Sequence, residues 1–116
     1  MRATRLYTGS DGESHFEDLE IPLTDHGPIG RLSAFIPATG LLLRETGPEY
    51  DYDWHPAPRR QAILMLKGAV DIEIGDGTIR RFGPGAILFA EDTTGRGHVS
   101  RAVDGQPRTS VFVTLD

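Results

Sequence analysis

The stretch Trp54-His55-Pro56-Ala57-Pro58-Arg59-Arg60-Gln61, followed by Ala62-Ile63-Leu64-Met65-Leu66-Lys67-Gly68, decides the fold of this chain. Beyond it, Val70-Asp71-Ile72-Glu73-Ile74 alternates strictly between apolar and acidic residues. Period-two alternation marks a strand with one face on a core and one in water. Gly75-Asp76-Gly77 follows, and Asp-Gly tolerates the positive φ of a tight hairpin turn. After Phe82-Gly83-Pro84-Gly85 comes a second apolar run, then Gly95-Arg96-Gly97-His98. Two histidines thus bracket short strands joined by glycine turns, the layout of a small β-barrel with a polar site in its mouth.

Outward from this centre the chain keeps the same grammar. Residues 2–7, 14–21, 32–36, 41–44, 61–66, 70–74, 78–82, 86–90, 99–103 and 109–115 read as strands, and 25–30 and 47–58 as irregular. The run 61–66 is continuously apolar after Gln61, as expected of a strand covered on both faces. No long stripe at helical period occurs. Nine to eleven strands, fourteen glycines and eight prolines predict an all-β sandwich or closed barrel, with residues 1–116 forming one domain.

Composition narrows the function classes. Twelve Lys+Arg against seventeen Asp+Glu give a net charge of −5, which argues against nucleic acid or an anionic membrane as partner. The absence of cysteine excludes disulfides, thiolate nucleophiles and cysteine-based zinc sites. No apolar run approaches the roughly 18 residues of a membrane span. The N-terminus lacks the apolar region of a secretion signal, so the expected compartment is the cytoplasm.

Parity brings candidate site residues together. If no bulge intervenes, His55, Ala57, Arg59, Gln61, Ile63 and Met65 share one strand face. Polar heads above an apolar floor describe a small-molecule pocket. This stretch resembles the first motif of the cupin superfamily, His-x-His, three or four residues, Glu, six residues, Gly. The spacing from His55 through Gln61 to Gly68 is kept, and Pro84-Gly85 through Ala90 to His98 resembles the second motif. The resemblance implies a double-stranded β-helix (a jelly-roll barrel) with little or no helix, and a homodimer as the expected assembly.

In cupins the corresponding side chains bind a divalent metal. Here His55 and His98 are kept, Ala57 replaces the second histidine and Gln61 replaces the glutamate. The resemblance therefore implies His55, Gln61 and His98 as candidate ligands for Zn, Fe, Ni or Mn. The competing reading is that these groups hydrogen-bond one another without metal. Asp92 can orient His98 and raise its basicity, making both candidate catalytic residues, or it can close an Asx turn.

Arg59 can meet a substrate carboxylate or a surface ion pair. Tyr50, Tyr52 and Trp54 can wall the pocket or pack the barrel edge, and Met65 and Phe89 can floor it or fill the core. His15 and His26 read as solvated. The resulting functional expectation is a small, anionic ligand in the barrel mouth, handled by a metal-dependent dioxygenase, isomerase or lyase or by a metal-free binder.

Overall fold

Glycine and proline divide the sequence into runs too short for helices and long enough for strands. The computed structural model describes residues 1–116 and contains twelve strands in chain order. They are β1 (Arg2–Thr8), β2 (Ser14–Glu20), β3 (Thr24–Asp25), β4 (Arg31–Leu32), β5 (Gly40–Thr46) and β6 (Asp51–His55). The second half adds β7 (Gln61–Lys67), β8 (Val70–Glu73), β9 (Ile79–Phe82), β10 (Ile87–Glu91), β11 (His98–Ala102) and β12 (Arg108–Thr114). One 3-10 turn, Gly27–Ile29, interrupts them. No helix is long and apolar enough to cross a membrane.

Two sheets face each other. The larger runs β2-β1-β10-β7-β12-β5, the smaller β6-β11-β8-β9, and β3-β4 form a separate ribbon. Neighbouring strands are antiparallel except β1 and β10, which run parallel with Leu6 opposite Ala90. The alternation in β8 sets the packing. Val70 and Ile72 turn inward and join Ile74 and Phe82 against Leu6, Met65 and Leu88 of the larger sheet. Asp71 and Glu73 turn outward and pair with Arg81 and Arg101 at 2.9 and 2.8 Å. A second apolar layer, Ala3, Ala62 and Phe89, covers the outer face of the larger sheet.

Only 24 of 116 residues are buried. The apolar cluster fills one part of the space between the sheets, and the rest is a cavity of about 570 Å³.

Three expectations change. Residues 47–58 are not irregular throughout: Asp51–His55 form β6. Its sequence alternates acid and aromatic, Asp51-Tyr52-Asp53-Trp54, a period-two pattern of strand-favouring side chains, and the strand pairs with β11. The predicted strand 32–36 shrinks to Arg31–Leu32, paired only with Thr24–Asp25 inside the segment expected to be loop. Residues Ser33 to Ala38 form no strand, and Phe35 is fully exposed. The run 61–66 is covered through Met65, but Leu66 at its end is 57% exposed.

Leu88 is 1% exposed, whereas Leu43 on the edge strand β5 is 75% exposed. Leu88→Ala is expected to lower stability by about 2–5 kcal/mol, and Leu43→Ala by no more than about 0.5 kcal/mol, measured by urea denaturation.

Candidate functional site

The cavity wall is the inward face of three adjacent strands. On β7 the inward residues are Gln61, Ile63 and Met65; across from them on β12 lie Thr114, Phe112 and Ser110. On β5, Leu42 and Arg44 face Phe112 and Ser110. The row ends at Arg108, opposite Thr46. Parity along 55–65 holds as expected: His55, Ala57, Arg59, Gln61, Ile63 and Met65 all line the cavity.

The opposite wall comes from β6 and β11, and here a bulge decides what enters. His98 pairs with His55 and Ser100 with Tyr52, so two residues of β11 span three of β6. The extra residue breaks alternation in β6. Tyr50, Tyr52 and His55 therefore all reach the cavity. Trp54 is turned away and carries the Arg96 guanidinium 3.8 Å over its ring, so its expected role as a pocket wall is corrected. Phe89 is corrected too. Its neighbours Leu88 and Ala90 line the cavity, and alternation sends Phe89 to the outer apolar layer.

The two histidines meet, with ring centroids 4.4 Å apart. The Tyr52 ring packs tilted against His55, centroids 3.8 Å apart. The approach of β11 to β6 depends on Gly97, whose φ is +80°, and a Cβ there would collide with the His55 carbonyl. Each imidazole is held through Nδ1. His55 Nδ1 lies 2.7 Å from the Asp53 carbonyl. A carbonyl only accepts, so Nδ1 donates and Nε2 keeps its lone pair. His98 Nδ1 lies 2.6 Å from Asp92 Oδ2, and the same argument leaves its Nε2 edge toward the cavity.

Asp92 is completely buried. Ser14 Oγ donates to Asp92 Oδ2 at 2.7 Å. Ser14 is a residue that sequence reasoning did not single out. Asp92 thus acts behind the cavity wall and orients His98, rather than merely closing a turn. Burial holds the His55 pKa below its ordinary value, opposed by the Asp53 hydrogen bond and reinforced by the nearby His98.

Gln61 lies buried in the lining. The candidate metal set is therefore two imidazole Nε2 atoms and one amide, all neutral. No group of three His, Cys, Asp or Glu residues is arranged to hold an ion. No carboxylate lines the cavity, while Arg44, Arg59 and Arg108 do. Three guanidiniums oppose a divalent cation, and such cations normally draw three or more strong protein donors. The donor set does not fit a resident divalent metal.

Sequence reasoning missed Arg44, Arg108 and Ser100. Arg59 stands exposed at the rim. Arg108 is 7% exposed and has no carboxylate partner. The available signal was parity: Arg44 interrupts a leucine run, and Arg108 is in step with Ser110 and Phe112.

Gly97→Ala is expected to cost about 2 kcal/mol or more and to separate the His55 and His98 resonances by NMR. The folded chain protonates His55 less readily than the unfolded chain, so the stability it contributes is complete above about pH 6.5 and is lost as pH falls below it. Wild-type Tm should therefore fall from about pH 7.5 to about pH 5.5 more than that of His55→Asn.

No protein-family model matches the chain, and no curated protein sequence matches it. Solved structures do. The cupin domain of Schizosaccharomyces pombe Cnp3 is similar at a TM-score of 0.52 and 9% identity, over 100% of this chain and 83% of that one. Protein NMB1881 from Neisseria meningitidis is similar at a TM-score of 0.51 and 18% identity, over 66% of this chain and 72% of that one. At these identities the likeness is one of fold.

Proposed function

This chain has a cupin fold, and we propose that its barrel binds a small organic molecule without a metal and moves a proton on it through His98. The observation that carries the reading is the buried contact of His98 Nδ1 with Asp92 Oδ2 at 2.6 Å. A carboxylate on one imidazole nitrogen fixes the tautomer and raises the basicity of the other. Here that other nitrogen is on the cavity side, above an apolar floor of Ile63, Met65 and Leu88.

A general base needs reach to its substrate and a fixed orientation. The cavity supplies the first, and Asp92, itself held by Ser14, supplies the second. His55 beside it keeps a free Nε2 and is disfavoured from protonation by its burial. It can accept a hydrogen bond from the ligand, and Gln61 can donate or accept one. The reaction class these groups serve is proton abstraction next to a carbonyl, as in an isomerisation or an elimination.

The metal-dependent reading is the competitor, and its failing is the donor set described above. Exchange of the carbon-bound protons of 2-oxobutyrate and acetoacetate in D2O, followed by NMR with excess chelator, separates the two. Wild-type protein should accelerate exchange equally with and without chelator. Asp92→Asn, which keeps the shape and loses the charge, should lower the rate by roughly a hundredfold. Acceleration that vanishes on chelation and returns with added metal, or that survives in His98→Gln, would sink the reading.

A further inference from the structure

Arginines outside the cavity, Arg31 apart, are matched to acids. Arg2 and Arg80 meet Asp18, Arg5 and Arg60 meet Glu91, Arg81 meets Asp71, Arg96 meets Glu13 and Arg101 meets Glu73. Arg31 is exposed and unpaired. The remaining three, Arg44, Arg59 and Arg108, have no carboxylate partner, and all three line the cavity. In a chain of net charge −5, the cavity lining holds three arginines and no acid.

Arg108 is the extreme case. Its side chain is 7% exposed, and its Nε and Nη1 are buried without a hydrogen-bond partner in the protein. So are Thr46 Oγ1 and Ser110 Oγ, which flank it across and along the strands. Four of the six orphaned buried polar atoms of the chain thus gather at this one corner. A buried guanidinium without a carboxylate partner is costly, and Tyr50 offsets only part of that cost. The Arg108 guanidinium lies 4.9 Å and the Arg44 guanidinium 5.5 Å from the Tyr50 ring centroid. A second cation beside the first raises the cost and the attraction for an anion together.

We propose that Arg108, with Arg44, forms a subsite for the carboxylate of an organic acid whose apolar body lies on the cavity floor. The geometry connects this subsite to the proton-transferring histidine. Tyr50 Oη meets Ser100 Oγ at 2.9 Å, and Ser100 is two residues from His98 on β11, about 7 Å along the strand. Arg108 and His98 line the same cavity, so an acid anchored at Arg108 lies in the space that His98 faces. A phosphate group is the poorer fit. Phosphate cradles are built from backbone N–H groups at glycine loops or helix N-termini, and no glycine lines this cavity. The proposal deepens the small-molecule reading of the cavity and rests on it, but it does not require His98 to transfer a proton.

The test uses hexanoate and benzoate as probes, hexanamide and benzamide as their neutral counterparts, and inorganic phosphate. Affinities come from calorimetry and thermal shift on the full chain. Each acid should bind tighter than its amide by roughly tenfold or more, the scale of a charge-assisted hydrogen-bonded contact, and His98→Gln should keep that preference.

Arg108→Met retains the aliphatic stem and removes the buried charge. It should raise the Tm of the ligand-free protein while abolishing the acid-over-amide preference, and Arg108→Lys should retain part of that preference. A fall in ligand-free Tm on Arg108→Met assigns the guanidinium a structural role and overturns the proposal. Amides binding as well as acids overturn it while leaving the small-molecule site standing. Phosphate binding more tightly than both acids overturns the carboxylate assignment. Binding of none of the probes removes the subsite and the small-molecule reading together, whereas loss of D2O exchange with acid binding intact removes only the proton-transfer reading.

Discussion

The antiparallel pairing of β11 with β6, bulged by one residue, is the constraint on which the cavity depends. It places the imidazoles of His55 and His98 in contact although 42 positions separate them in the chain. It also chooses which aromatic side chains enter. Without the extra residue, strict alternation would send Tyr52 to the same side as Trp54. With it, Tyr50, Tyr52 and His55 share the cavity, and Trp54 is left outside against Arg96. The pairing tolerates no side chain at Gly97, so one glycine fixes how closely β11 approaches β6.

Charge is sorted by the same architecture. The acids of β8 meet Arg81 and Arg101 on the outer face, and those of β2 meet arginines of β1 and β9. These exposed pairs contribute little individually, because solvent screens them and ordering two long side chains opposes them. Their larger consequence is for the interior. With no acid on the cavity lining, the field inside opposes the surface charge. Burial disfavours the charged form of Arg108, Tyr50 opposes that shift and Arg44 adds to it, yet a guanidinium stays protonated in proteins. The site therefore holds positive charge that the protein itself does not neutralise. Asp92 does not relieve it, being committed to His98 and Ser14 behind the wall.

The cupin architecture was legible because its signals are local. Strict alternation at 70–74 and the Gly75-Asp76-Gly77 turn specify a hairpin without help from the rest of the chain, and β8 and β9 pair through it. The inward row of 55–65 followed from parity alone. What failed had a weak local signal or none. The strand Asp51–His55 alternates acid with aromatic over only four residues, and pairing with β11 is what fixes it as a strand. Residues 33–36 carry apolar side chains at Ala34, Phe35 and Ile36 but form no strand. Arg44 and Arg108 lie on different strands and become a pair only when β5 and β12 align.

The sequence by itself determined the strand class, the turns, the inward face running from His55 to Met65 and the loss of a complete metal-ligand set. These follow from nearest-neighbour stereochemistry and residue identity, which no packing can alter. Tertiary structure alone decided that Asp92 lies against His98, that Trp54 and Phe89 leave the cavity and that three unmatched arginines converge in it. Those outcomes depend on sheet register and on one bulge, and register is set by the summed pairing of strands distant in the chain.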